Sequence, residues 1–380
     1  MNQAVTLPAA LLTRQAETIL TGWGMPEDIA VQTAELMVET DLFGVDSHGI
    51  SMLPHYDKLL QAGLWNPAGR AKIIRETPAT AVIDGCHSLG HATALLAIQT
   101  AVAKSELSGM GSVVVRHSNH FGAAGLYARY AAARGKIALI TSTTRSRMLV
   151  PSRAQVPVLG TNPLAFAAPA ERNADFVLDM ATTTVAANKV KVYDFTGQAL
   201  PPGWVSDEHG EAVTDSALGM EYVFQRPPGG LTPLGGLEET GGHKGYGLAM
   251  LAQILAGPLA GASFAATRPA GGMPDIGHFF LVIDPGAFGD PSDFRQGLDH
   301  IIDTLHDTPP ADASKPVLVA GDIENQTHQQ RSLSGIPLPA ALIAQLQALC
   351  QRSGFTDLLA GHLPSSSSRT PESQWPLPHR

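Results

Sequence analysis

Residues 111–143 read GSVVVRHSNHFGAAGLYARYAAARGKIALITST. The stretch opens on a β-branched run, passes through an alanine-rich helical segment over 123–134 and closes on a second β-rich run, KIALITST. Strand, helix and strand in that order form the repeating unit of an α/β layer. Working outward, KIIRET at 72–77, TAVID at 80–84 and FFLVID at 279–284 are further strand-like runs, and 91–107 is another helical segment. The chain therefore reads as an α/β protein.

The ends differ from this middle. Apolar residues at helical spacing predict helices over 8–21, 26–42 and 51–62, and again over 293–306 and 339–352, with a strand-like PVLVAGD at 316–322. A helical lobe from 1–72 and 290–355 is thus expected beside an α/β lobe over 73–289. Within the second lobe, 193–240 is rich in Gly, Pro, Asp and Thr and reads as loops with little core, while 363–380 reads as a disordered tail. Two lobes suit a length of 380 residues.

Composition narrows the function. The chain is 44% hydrophobic and 16% charged with a net charge of −9, and its basic residues are scattered singly, which excludes a nucleic-acid surface and favours small-molecule partners. Two cysteines and no leader-like N-terminus point to the cytoplasm. LAMLAQILAGPLAGASFAA, 248–266, carries no charge, but Gln253, Gly257-Pro258 and Gly261 interrupt it. It reads as a buried helix ending near Ala256 and not as a membrane span.

No familiar nucleotide signature is present. GMGSVVV at 109–115 precedes a strand instead of following one, and GGHKGYG lacks the Ser/Thr of a phosphate loop. Histidines mark other places. His87 and His91 lie four apart, and His117 and His120 three apart, spacings that could hold zinc on a helix; His120 also follows a strong strand, where α/β enzymes hold ligands. In DSHG, 46–49, Asp46 or Ser47 could simply cap the next helix, but a histidine beside a hydroxyl could also serve as a general acid. Thr161, Asn162, Thr182 and Thr183 offer neutral donors in tight turns, and Lys244 stands where a helix N-terminus would welcome an anion.

Taken together, DLFGVDSHGIS, HSNHFGAAGLYA, VLGTNPLAFAAP, LDMATTTVAANKV, GGHKGYGLAMLAQILAGPLAGA and IGHFFLVIDPGAF resemble the malate/L-lactate dehydrogenase family, over about 10–345. That family includes L-sulfolactate, ureidoglycolate and 2,3-diketogulonate oxidoreductases and piperideine carboxylate reductases. The resemblance implies a mixed sheet with flanking helices, a nicotinamide-binding fold unlike the Rossmann one, NAD or NADP as cofactor, and a homodimer. It makes His48 and His120 alternative proton carriers, with Ser47 or Asp179 as orienting partners. By the same likeness Thr161, Asn162, Asp179, Met180, Ala181, Thr182, His243, Lys244, Gly245, Gly321, Asp322 and Glu324 fall on cofactor-contacting segments, and Tyr56 lines the substrate pocket.

There are departures. Met52 stands where the family has a carboxylate-clasping arginine, and the family's Trp-Gly-Gly loop is replaced by one containing Arg145, Arg147 and Arg153, any of which could supply the guanidinium. The resulting expectation is hydride transfer between a nicotinamide and a small 2-hydroxy or 2-oxo acid. Cyclic 2-imino acids are the alternative substrates, and a metal-dependent hydrolase built on the histidines is the alternative chemistry.

Overall fold

The computed structural model describes residues 4–269 and 271–362; the tail expected at 363–380 lies outside them. The middle of the chain forms a mixed seven-stranded sheet. Its strands are β2 (Lys72–Glu76), β3 (Thr80–Asp84), β4 (Met110–Ser118), β5 (Ile137–Ser142), β6 (Leu164–Ala168), β7 (Phe176–Met180) and β10 (Ile276–Ile283), in the order β2-β3-β4-β10-β5-β6-β7. β1 (Ala4–Leu7) pairs with β11 (Ile336–Pro339), and the short β8 (Val205–Ser206) with β9 (Gly230–Leu231).

The two strands of the opening stretch are not neighbours. β10 enters between them, antiparallel to both, and only β3 and β4 run parallel. The parallel pair is joined by α4 (Gly90–Ser108), as a parallel connection requires. α5 (Ala124–Ala132) lies beside α4 on the same face. Strand alternation assigns the faces: Val113, Val115, Phe280 and Val282 join the core under α4 and α5, whereas Val114 and Phe279 pack against Ala256, Ala260 and Ala262 on the other side. Phe280 and Ile140 are fully buried, each contributing about 1.5–3 kcal/mol of transfer free energy.

The second face is covered by α8 (Gly242–Ala256), which corrects the reading of its apolar run. Only Gly242, Gly245, Ala249, Ala252 and Ala256 are buried, so a small-residue stripe meets the sheet while Met250, Leu251 and Ile254 face outward. The approach is close: a Cβ on Gly277 would come 1.7 Å from the Ala256 carbonyl oxygen. Among the described residues no helix is long and apolar enough to cross a membrane.

A separate core holds the terminal helices. α1 (Ala9–Gly22), α2 (Glu27–Leu42), α3 (Leu53–Gln61) and α11 (Ala340–Ser353) bury Leu12, Ile19, Met37, Leu53, Tyr56 and Leu346 together. The region read as coreless loops has a small core of its own. α6 (Ala187–Thr196) and α7 (Ser216–Phe224) pack Val190, Leu200, Val205, Tyr222, Val223 and Leu231 against one another. α9 (Pro291–His306) follows the sheet as expected, but 316–321 is not a strand, and α10 (Asp322–Ser334) follows it.

Candidate active site

Two imidazoles converge between the helical core and the sheet. His48 sits in the turn joining α2 to α3, and His120 just beyond β4, with ring centroids 5.3 Å apart. The turn is shaped by Asp41. Its carboxylate, 1% exposed, accepts the Ile50 N–H at 2.8 Å, and a Cβ on Gly49 would lie 2.0 Å from Asp41 Oδ1, so only glycine passes there. Arg331 of α10 donates to the Asp41 carbonyl and to the Asp46 carboxylate (Nη2–Oδ2 3.1 Å). The capping role considered for Asp46 and Ser47 is absent: neither the short 50–52 helix nor α3 has a side-chain cap, and Ser47 Oγ lies instead 2.8 Å from His48 Nδ1.

The hydrogen bonds of His120 fix its tautomer. Its Nδ1 faces the Gly122 N–H at 3.3 Å and the Tyr56 hydroxyl at 2.6 Å. A backbone N–H can only donate, so Nδ1 is an acceptor and the ring proton resides on Nε2. Burial, followed by the charges of His48, His91, His55 and His278, holds His120 well below the usual imidazole range. Burial and the Nδ1 acceptor role both favour the neutral ring. His48 is held below that range by burial alone, and its Nδ1 touches a hydroxyl that can donate or accept, so it is free to change protonation state. Tyr56 is therefore more than a pocket wall. Tyr56→Phe should leave folding intact while lowering kcat about 10-fold through a less ordered His120; unchanged steady-state kinetics would remove this role.

Asp179, at the end of β7, does not touch either imidazole. Its Oδ2 accepts the Gly125 N–H at 2.7 Å in the first turn of α5, next in sequence after His120 and Gly122. The crowding around it, then the charge of Glu324, pushes its carboxyl up to about 6, although its surface remains open to solvent. Met180 and Ala181 continue from it half-buried. Arg129 of α5 bonds Asn325 at 2.6 Å and lies 4.1 Å from the Phe43 ring centroid, joining α5, α10 and α2.

Other expected groups are engaged inside the protein. Thr182 Oγ1 donates to the carbonyls of Thr161 (3.0 Å) and Asn162 (3.1 Å), and Thr183 Oγ1 to that of Val185 (2.8 Å). Asn162 Nδ2 donates to the Ala249 carbonyl at 3.1 Å. These side chains shape turns. Gly321 precedes α10 at φ 104°, and the Asp322 carboxylate accepts the Val319 N–H at 2.8 Å. His243 and Lys244 are exposed in the first turn of α8, and Gly245 is buried. Met52 packs against the helical core.

The zinc spacings come apart in three dimensions. His87 stacks on His117 at 5.0 Å, and His117 Nδ1 lies 2.9 Å from Asp84 Oδ2, whereas His91 is fully buried 6.0 Å from Tyr56. Among the described residues no three His, Cys, Asp or Glu side chains are placed to hold a metal. Sequence reasoning missed Asp41, Gly122 and Arg331 as builders of the site. An acid in the last turn of α2, where it opposes the helix dipole, was the one available signal.

Residues 7–347 match the family described as malate/L-lactate dehydrogenase. The chain belongs to that family. It is 36% identical over 347 residues to malate dehydrogenase of Pyrococcus horikoshii, covering 90% of this chain and 93% of the relative. Among solved structures it resembles malate dehydrogenase of Entamoeba histolytica with TM-score 0.87 and 30% identity, covering 93% of this chain and 99% of that one. It also resembles the Δ1-piperideine-2-carboxylate reductase of Pseudomonas syringae, with TM-score 0.77 and 26% identity over 90% and 99% of the two chains. As a malate/L-lactate dehydrogenase family member, the chain is an oxidoreductase, and its relatives support hydroxy acids as the substrate class.

Proposed function

We propose that this protein transfers hydride between NAD or NADP and the C2 carbon of a small 2-hydroxy or 2-oxo acid, with His48 carrying the proton. The observation that carries the reading is the asymmetry of the imidazole pair. His120 is fixed by two donors on Nδ1, and His48 is not. What supports a dinucleotide is the start of α8, which has no side-chain cap and carries the exposed Lys244, together with Asp179 open to solvent at the end of β7. Asp179, Met180, Ala181, Glu324, His243, Lys244 and Gly245 are the residues proposed to hold it. When bound, the nicotinamide supplies or accepts the hydride.

The protein's own part is proton handling. In oxidation, neutral His48 takes the hydroxyl proton through Nε2, with Ser47 on Nδ1, while His120 donates its Nε2–H to the same oxygen and keeps it oriented. In reduction the steps reverse, and an imidazolium at His48 protonates the developing alkoxide. The structural likeness to an imino-acid reductase favours cyclic 2-imino acids as a second reading, in which His48 delivers its proton to nitrogen. Following NADH and NADPH oxidation against 2-oxo acids and cyclic imines separates the two, and inactivity on every member would remove both.

We propose a homodimer, supported by the outward row Met250, Leu251, Ile254 and Leu259 in and beyond α8. Sedimentation should give twice the 39.9 kDa of one chain, and a monomer at micromolar concentration would contradict it. Cys86 and Cys350 are both free, which suits the cytoplasm.

A further inference from the structure

The three arginines of the loop after β5 differ in what they touch. Arg153 is exposed and bonded to Glu238, Nε to Oε2 at 3.0 Å, and Arg147 is exposed. Arg145 is half-buried, and no hydrogen bond or ion pair engages its guanidinium among the described residues. Its neighbours are unusual for a chain of net charge −9. Burial, then the positive charge of Arg268, disfavours the Arg145 cation, while the surrounding protein, then Arg145, lowers the proton affinity of His55. Arg268 has the Asp275 carboxylate beside it, whereas no acid bonds Arg145 among the described residues.

Architecture puts this patch at the catalytic end of the sheet. The loop bearing Arg145 leaves β5 where the Thr143 N–H donates to the Gly277 carbonyl at 3.0 Å and Ser142 Oγ meets His278 Nδ1 at 2.8 Å. His278 Nε2 in turn lies 2.9 Å from Ser118 Oγ, two residues before His120. Arg268 donates to the Asp275 carbonyl at 3.1 Å, and Asp275 Oδ1 accepts the His117 N–H at 2.6 Å. On the opposite side stands α3, where His55 adjoins the Tyr56 that holds His120. The loops bearing Arg145 and Arg268 therefore start at the same end of the sheet as His120, and His55 is one residue from the Tyr56 that meets it.

We propose that Arg145 binds the substrate's carboxylate, with Arg268 reinforcing the positive field, so that the guanidinium missing at Met52 is supplied by the loop after β5. A half-buried guanidinium without a partner gains from a planar anion that its fork can engage at two points. The inference rests on reading the site as one for small carboxylic acids. It also predicts that the position tolerates lysine poorly, because a single ammonium cannot reproduce the paired contact.

Oxalate, a small planar dianion, tests this without turnover. Calorimetric titration into the full-length protein should give a dissociation constant about 10-fold to 100-fold weaker for Arg145→Met than for wild type, an intermediate loss for Arg145→Lys and for Arg268→Met, and none for Arg153→Met. KM for the acid substrate should rise in parallel, with kcat changed much less. Equal oxalate binding by wild type and Arg145→Met, or no oxalate binding by wild type, overturns the inference. Arg145-dependent oxalate binding in a protein that oxidises no nicotinamide would instead leave it standing and overturn the dehydrogenase reading.

Discussion

His48→Ala is expected to lower kcat by about 100-fold to 10,000-fold with KM within a few-fold of wild type, because in the proposed mechanism the lost group moves a proton in the transition state. The effect also has a pH signature. Burial holds His48 below the ordinary imidazole value, so the neutral base is already present at neutral pH. Oxidation should therefore rise with pH along a limb lying below about 6.5. His48→Ala removes that limb together with the rate. His120→Ala should cost less, about 100-fold, and keep the limb, since His120 donates without titrating in this range. Full activity in His48→Ala, or loss of the limb only in His120→Ala, would exchange the two roles.

Asp41→Asn should change how stability depends on pH. Burial, and after it the Asp46 carboxylate, raises the Asp41 carboxyl to about 8, against the counteracting Ile50 N–H and Arg331. A folded-state value above the unfolded one means the unfolded chain releases the proton first. Asp41 therefore contributes its stability below about pH 4 and loses it as pH rises towards about 8, by at most about 1.4 kcal/mol per pH unit. Asparagine keeps an acceptor for the Ile50 N–H and has no proton to lose. Urea unfolding at pH 5 and pH 8 should show wild type falling relative to Asp41→Asn by about 2 kcal/mol or more. Equal slopes would mean that Asp41 is not buried as described.

Local pattern revealed what local forces decide. Helices α1, α2, α3, α9 and α11 follow their apolar spacing, and five sheet strands, β2, β3, β4, β5 and β10, follow their β-branched and small apolar runs. α10 escaped notice because it buries no residue; acids in its first turn and Gly335 at its end define it. PVLVAGD has the composition of a strand but forms no ladder with the edge strand β7 beside it, whose Val177 N–H donates to the Ala320 carbonyl at 3.1 Å. The place of β10 between β4 and β5 is a non-local pairing, invisible to any window of sequence.

The site divides in the same way. His48, Ser47 and His120 stand in short distinctive strings, and the Ser47–His48 contact joins adjacent residues. What could not be read was which imidazole is free to titrate. That depends on Tyr56, 64 positions from His120, and on the Gly122 N–H. The threonines of the DMAT turn have hydroxyls that bond backbone carbonyls, a local role that the sequence does not announce.

Hydride transfer between a nicotinamide and C2 of a small acid leaves an isotopic trace. Nicotinamide dinucleotides carrying deuterium at C4 of the reduced ring, supplied with a panel of 2-oxo acids, test it directly by mass spectrometry of the product. One deuterium is expected at C2 of a hydroxy acid formed by wild type, with its rate of formation cut at least about 100-fold in His48→Ala. Product without deuterium, or a protein that consumes no reduced nicotinamide and depends on a stoichiometric metal, would contradict it.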